Sequence, residues 1–216
     1  MSEILDNMSF FAHKNVDLKN LNYPLKLTFK IGTLASDFVI EDSSSATLAY
    51  VRQKLFKFID EIQVFADTSK QNLEFTIKAN KWIDFSATYV FTDKNGNDKG
   101  RVARRGWASI WKARYDVYDQ NHQLAFHIME ENAWTKIMDG LFSDIPVLGM
   151  FTGYVFNPKY IVGRPDGTKV MRLKKDPSFF GRKFTVEKIG DTHNASEDEC
   201  IVLSLMMMIL LERRRG

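Results

Sequence analysis

Apolar and polar residues alternate along most of this chain, as they do in strands with one face in a protein core. Residues 25–31 and 73–78 are two examples of this alternation. In the second example, Leu73, Phe75 and Ile77 are expected on one face, with polar residues on the other. The pattern predicts a protein built mainly from β-strands.

Strand-like segments that end in aspartate recur at a nearly constant interval. A polar turn follows each aspartate, then a second strand and a short aromatic strand, the last of these at Trp134. The aspartates are Asp42, Asp67, Asp93 and Asp119, with spacings of 25, 26 and 26 residues. This interval indicates an internal repeat. Together with a strand before the repeat and a weaker final unit in residues 160–186, it predicts about a dozen strands.

The segment from Ser196 to Gly216 has a different pattern. Ser196 and Glu199 have the spacing of a capping box, residues 201–211 are apolar apart from Ser204, and three arginines follow at 213–215. A helix that is apolar on every side is enclosed by other parts of the protein. A membrane span would need about 20 apolar residues, whereas this run has 11. We therefore predict a central helix at about 196–214 and no transmembrane span.

A barrel of about twelve strands has a lumen too wide for side chains alone to fill, and a helix about 10 to 12 Å across would fit it. A two-sheet sandwich would leave the apolar helix without an enclosure. The predicted fold is therefore mainly β (α+β), a closed antiparallel barrel of about twelve strands around a central hydrophobic C-terminal helix. Residues 1–24 are predicted to be an N-terminal extension, and residues 25–216 a single domain.

Composition limits the class of protein. The 216 residues are 44% hydrophobic and 26% charged, with a net charge of +3. The single cysteine, Cys200, excludes an intramolecular disulfide, and the first twenty residues contain nothing like a secretory signal. These features predict a cytoplasmic protein, with a peripheral position at the membrane as an open possibility.

Hairpin units of about 26 residues with an aromatic third strand, followed by a hydrophobic helix, resemble the tubby C-terminal-like superfamily and, within it, the LURP-one-related proteins. The resemblance covers residues 25–215 and includes the segments 111–119 and 179–184. The superfamily includes tubby proteins, which bind phosphoinositides at membranes, and phospholipid scramblases, which are proposed to move lipids. This chain has one cysteine and five prolines, so it lacks the cysteine-rich and proline-rich segments of scramblases. The resemblance implies a barrel closed around a helix, for which binding of anionic, phosphoinositide-like head groups is one expected role and lipid scrambling is not expected. Many LURP-one-related proteins have no assigned activity.

Basic residues are concentrated in two parts of the chain. Residues 99–114 contain six lysines or arginines and no acid, and residues 169–188 contain seven against two acids. Each such residue near an anionic membrane contributes about 1 kcal/mol to binding, and tryptophans anchor proteins in the interface. The candidate anion-binding residues are Lys99, Arg101, Arg104, Arg105, Lys174 and Lys175, and the candidate membrane-interface residues are Trp107 and Trp111.

Two other interpretations of these basic residues remain open. Charged residues at alternating positions are the usual solvated face of a sheet, and the protein would then be a structural or regulatory protein-interaction domain with no lipid role. An acidic protein partner would also fit the charge. Nucleic acid is disfavoured by the small net charge and by the lack of an open aromatic sheet.

The sequence contains no recognisable catalytic motif. It has no Gly-x-Ser-x-Gly segment and no phosphate-binding Gly-x-x-x-x-Gly-Lys loop. The histidines lack the spacing of metal ligands; they are His13, His122, His127 and His193, and a structural or surface role is expected for His127. We therefore expect a binding protein and not an enzyme, without catalytic residues, metal or cofactor.

One long segment, residues 136–156, interrupts the repeat and is rich in apolar residues. It is predicted to pack over one mouth of the barrel. The alternative is that it presents a surface to a partner or a membrane.

Overall fold

The computed structural model describes residues 18, 21–31, 36–54, 61–80, 88–105, 114–138, 158–178 and 183–213. These ranges contain twelve β-strands and two α-helices. In chain order they are β1 (Leu25–Phe29), β2 (Phe38–Glu41), β3 (Thr47–Lys54), β4 (Glu61–Phe65), β5 (Leu73–Ala79), β6 (Thr88–Asp93), β7 (Asp98–Arg105), β8 (Arg114–Tyr118), β9 (Leu124–Glu130), α1 (Glu131–Met138), β10 (Lys159–Gly163), β11 (Lys169–Asp176), β12 (Lys183–Lys188) and α2 (Ala195–Arg213).

The strands form a closed antiparallel barrel. Each strand pairs with the next one in the chain, and β1 pairs with β12 to complete the circle, with Leu25 opposite Val186 and Leu27 opposite Phe184. Closure leaves no edge unpaired among the described strands. The predicted fold class is confirmed.

The repeated aspartates build the hairpin turns. The Oδ1 atom of Asp93 accepts hydrogen bonds from the backbone N–H groups two and four residues later, each at 2.9 Å. Asp42 and Asp119 accept the same two bonds in their own turns. The residue three positions after each aspartate has a positive φ: 65° at Ser45, 84° at Gly96 and 64° at His122. The spacing seen in the sequence is therefore the spacing of one turn design, in which an aspartate side chain replaces backbone partners.

A β-bulge accompanies these turns and changes which residues face the core. In the β4–β5 pair, one residue of β5, Glu74, is inserted between the paired positions. The insertion places Leu73 on the outer face, where it packs against Phe65, while Phe75 and Ile77 face the core. The prediction that these three residues of β5 share one face is therefore wrong for Leu73.

The helix α2 lies inside the barrel. Every residue from Cys200 to Leu211 is at most 8% exposed, and these side chains share one core with inward-facing residues of all twelve strands. Burying each large apolar side chain contributes about 1.5 to 3 kcal/mol, as an upper bound. The predicted central helix is confirmed, with bounds that differ by one residue at each end. Among the described helices, none combines the length and apolar character needed to cross a membrane.

Three consecutive acids at the start of α2 fix the helix in the barrel. Each one binds a basic residue from a different part of the barrel wall, so rotation or sliding of the helix would break all three contacts. The pairs are Glu197 with Arg164 after β10 (2.8 and 3.1 Å), Asp198 with Lys188 on β12 (3.0 Å), and Glu199 with Lys99 on β7 (3.3 Å).

The helix approaches the barrel wall closely at Gly100 on β7. Gly100 has a φ of 111°, and a Cβ atom there would lie 2.5 Å from the carbonyl oxygen of Tyr118 and 2.8 Å from Sγ of Cys200. Only glycine fits this contact. Burial raises the pKa of the Cys200 thiol to about 12, so the thiol stays protonated at neutral pH.

The short helix α1 covers part of the outer wall. Trp134 is fully buried against Met129 and Ile161, and its ring occupies the space that a side chain at Gly163 would need. The prediction that Trp134 belongs to an aromatic strand is therefore wrong, because this segment leaves the sheet and packs across it as a helix.

Two predicted segments are only partly described. In the predicted extension, Leu18 is buried in the core, and Leu21 and Tyr23 pack against it. Of the predicted covering segment 136–156, residues 136–138 belong to α1 and the remainder lies outside the described residues.

Candidate anion-binding site

The predicted basic cluster on β7 is divided between two faces of the strand. Arg104 lies on the same side as the core residue Val102 and is 9% exposed, so it faces the barrel interior. Arg101 and Arg105 are on the outer face, since side chains alternate along a strand. The three arginines therefore do not form one surface.

Three candidates, Arg101 among them, are already engaged by acids of this chain. Their positive charge is balanced locally, which reduces what they can offer to an external anion. The pairs are Lys99 with Glu199 at 3.3 Å, Arg101 with Asp98 at 3.2 Å, and Lys174 with Glu187.

The two lysines at the end of β11 face opposite directions. Lys175 lies opposite Phe184, whose ring packs against the core, so Lys175 faces the interior while Lys174 faces outward. The predicted interface residues Trp107 and Trp111 lie outside the described residues, in the connection between β7 and β8.

A pair of exposed arginines lies at the base of that connection. Arg105 on β7 is directly opposite Arg114 on β8, and the two side chains are 51% and 42% exposed. Like charges directly opposite one another destabilise a sheet. The pair is held by Asp116, which accepts hydrogen bonds from Nε of Arg105 at 2.8 Å and from Nε of Arg114 at 2.9 Å.

Further contacts hold the two guanidinium groups in place. Arg105 donates from Nη2 to the hydroxyl of Tyr118 at 2.8 Å. Nη2 of Arg114 lies 3.1 Å from both ring nitrogens of His127. The carboxylate of Asp116 is itself 7% exposed, so both arginines extend outward from a buried anion.

His127 on β9 completes the cluster. It lies opposite Asp116 in the β8–β9 register, and its Nδ1 atom is 2.8 Å from Oδ1 of Asp116. Burial and the charge of Arg114 hold the pKa of His127 below its ordinary value. Burial would raise the pKa of Asp116, but hydrogen bonds from Arg105 and Arg114 outweigh it and the pKa lies below its usual range.

These pKa directions define the charge of the site at neutral pH. Asp116 is ionised and His127 is neutral. Nδ1 of His127 therefore carries the proton and donates a hydrogen bond to the carboxylate. The Nε2 atom is then an acceptor for Arg114. Two guanidinium groups and one carboxylate leave the cluster with a net charge of +1.

The sequence interpretation did not identify this cluster. In the sequence, Arg114 is only one of several basic residues in the range 99–114, and Asp116 is only a residue of a predicted strand. The missing information is the cross-strand register. Asp116 and His127 become neighbours only when the residues of β8 and β9 are paired one after another, starting at the turn that follows Asp119. The turn at Asp119 has the same hydrogen bonds as the turns at Asp42 and Asp93, so the register of β8 and β9 follows from the repeat.

The arrangement is suited to binding anions. Arginine presents a planar fork of N–H donors that matches the oxygens of a phosphate or carboxylate. Among the described residues, no three side chains of His, Cys, Asp or Glu are grouped as a metal site would require.

The model of one protein family, LURP-one-related, matches residues 47–207. The match begins at the first residue of β3 and ends within α2, so it includes the arginine pair, Asp116 and His127. Neither the curated proteins nor the solved structures contain a match to this chain. Since the family model covers well over half of the sequence, the chain belongs to the LURP-one-related family.

Proposed function

We propose that this protein is a binding module without catalytic activity, and that Arg105 and Arg114 hold anionic phospholipid head groups at the cytoplasmic surface of a membrane. The observation that carries this proposal is the sharing of one buried carboxylate by two exposed arginines. Both arginine side chains lie on the outer face of the barrel wall, where they are 51% and 42% exposed.

The arginines are held in position before any ligand binds. Their contacts with Asp116 and Tyr118 restrict side-chain rotation, and a restricted side chain loses less entropy when a ligand binds. Bidentate hydrogen bonding to a phosphate group then adds geometric specificity.

The position of the pair also suits a membrane surface. The eight residues that connect Arg105 to Arg114 include Trp107 and Trp111. Tryptophan favours the interface between lipid head groups and hydrocarbon. A head group at the arginine pair would therefore lie at the base of a connection with two aromatic anchors.

The second candidate is a structural or regulatory protein-interaction domain with no lipid role. It is favoured by the ion pairs of Lys99, Arg101 and Lys174 with acids of the same chain. Those pairs leave less positive charge for a membrane than the sequence suggests, and the arginine pair would then meet an acidic group of a partner protein.

Co-sedimentation with vesicles distinguishes these candidates. The probe is phosphatidylcholine vesicles with and without phosphatidylglycerol, at low and high salt. The test variant is Arg105→Gln with Arg114→Gln, and the control is Arg172→Gln, which removes an arginine paired with Glu131 on another part of the barrel.

The wild-type protein and the control should sediment with the anionic vesicles at low salt. The double variant should bind about thirtyfold more weakly, because it loses two charges that contribute about 1 kcal/mol each. No binding by the wild-type protein would eliminate the lipid proposal and favour the interaction domain. Equal binding by the wild-type protein and the double variant would eliminate the arginine pair as the lipid-binding site.

A further inference from the structure

We propose that His127 makes anion binding at the Arg105–Arg114 pair depend on pH, with binding becoming tighter when the imidazole takes up a proton. This inference rests on the proposed function, because it concerns the regulation of the same site. It follows from the two contacts that the imidazole makes, one with Asp116 and one with Arg114.

In its neutral form, His127 restrains Arg114. Nη2 of Arg114 lies 3.1 Å from both ring nitrogens, and since Nδ1–H donates to the carboxylate of Asp116, Nε2 is the nitrogen that can accept from the guanidinium. Nη2 is one of the groups with which a guanidinium binds phosphate. As long as it is directed at the imidazole, Arg114 cannot present its full fork to a ligand.

Protonation removes this restraint. An imidazolium has no acceptor atom, and its charge repels the guanidinium group beside it. Nη2 of Arg114 is therefore released, while Nε of Arg114 keeps its hydrogen bond of 2.9 Å to Asp116. At the same time, the net charge of the cluster rises from +1 to +2.

The surroundings of His127 direct this effect to the arginine pair. The charged groups that face it are Asp116 and Arg114 from β8, with Arg105 on β7 reached through Asp116. On β10 the opposite position is Gly163, which has no side chain. The helix α1 contributes the uncharged ring of Trp134, which lies against Gly163. Within the described part of the chain, no further acid or base contacts the imidazole.

The coupling is reciprocal. If protonation of His127 strengthens anion binding, a bound anion must raise the affinity of His127 for its proton by the same factor. This gives two independent measurements, one of the lipid and one of the histidine.

The first measurement is vesicle binding as a function of pH. Phosphatidylglycerol is the probe because its phosphodiester keeps one charge between about pH 7.5 and about pH 5, the range in which histidines titrate. Wild-type binding should tighten about fivefold over this range, as expected for one additional charge near the surface. His127→Gln should remove that increase, whereas His122→Gln, which changes an exposed histidine bonded to Arg101, should keep it.

The possible failures can be told apart. Binding that does not need Arg105 and Arg114 at any pH refutes the proposed function. Binding that needs them but tightens equally in wild-type and His127→Gln overturns the role of His127 alone.

The second measurement needs no variant at His127 and so does not depend on whether that variant folds. The imidazole protons of the wild-type protein are titrated by NMR in sodium sulfate and in sodium chloride of equal ionic strength. Sulfate, whose charge is constant over the range, should raise the midpoint of His127 more than that of His122. Equal shifts of the two midpoints would overturn the inference.

Discussion

Replacing Gly100 by alanine tests whether α2 packs against the barrel wall at β7. The added methyl group would lie 2.5 Å from the carbonyl oxygen of Tyr118 and 2.8 Å from Sγ of Cys200. The backbone φ of 111° adds a cost of about 1 to 2 kcal/mol for any residue with a Cβ atom. The overlap adds about 1 to 3 kcal/mol. We expect the free energy of unfolding to fall by about 2 to 5 kcal/mol, out of a total of about 5 to 15 kcal/mol for a typical domain.

Urea unfolding measures this loss, and Gly96→Ala is the matched control. Gly96 also has a positive φ, 84°, but nothing lies within 4 Å of a Cβ atom there. Its replacement should therefore lower the free energy of unfolding by only about 1 to 2 kcal/mol, the cost of the positive φ alone. If the two variants lost equal stability, the helix would not contact the wall at Gly100, and the placement of α2 would be refuted.

A double variant separates the two contacts of the added methyl group. Cys200→Ala removes Sγ, so the cost of Gly100→Ala should be smaller in that background, with a coupling of about 0.5 to 3 kcal/mol. The overlap with the Tyr118 carbonyl should remain. Additive losses would indicate that the helix side chain contributes nothing to the strain.

Three further predictions concern the turns, the helix contacts and the acid limit of stability. Ser45→Gly should raise the free energy of unfolding by about 1 kcal/mol, because Ser45 has a φ of 65°; an unchanged urea midpoint would show that this turn is unstrained. Glu197→Gln should lower the free energy of unfolding by about 1 to 2 kcal/mol, since the bidentate contact with Arg164 is lost. A double-mutant cycle with Arg164→Met should give a coupling energy of similar size. Additive losses would show that Glu197 and Arg164 do not interact. The pKa of His127 is lowered in the folded protein, so its contribution to the free energy of unfolding is full above about pH 6.5 and is lost as the pH falls through the folded-state pKa. The pKa of Asp116 is also lowered, and its contribution is full above about pH 4 and is lost in the same way at lower pH. Acid unfolding of Asp116→Asn and His127→Gln should therefore be less steep than that of the wild-type protein, and identical curves would exclude these residues as the cause.

The barrel and its central helix could be predicted because their signals are local. Alternation along each strand, the aspartate interval and the apolar run at residues 201–211 each report one element without reference to a distant residue. The two errors occur where the chain departs from regular strand geometry. The bulge at Glu74 turns Leu73 outward, and Trp134 fits the aromatic repeat although its segment leaves the sheet as α1.

The candidate site was harder to predict because it depends on which strands are neighbours. Arg104 and Arg105 are adjacent in the sequence, yet they face opposite sides of β7. The acid that neutralises Lys99 is Glu199, which comes from the helix at the other end of the chain. A count of basic residues along a segment contains neither fact, so it overstates the free positive charge.

The position of α2 in the chain has a consequence for synthesis. The helix follows the twelve described strands in the chain, so the ribosome releases every one of these strands before the helix that fills the barrel. A barrel that closed before the helix was available would exclude it, so we expect the seam between β1 and β12 to close after α2 has been synthesised. Until then the apolar inner face of the sheet would be exposed, and exposed apolar surface of this kind makes a folding intermediate prone to aggregation.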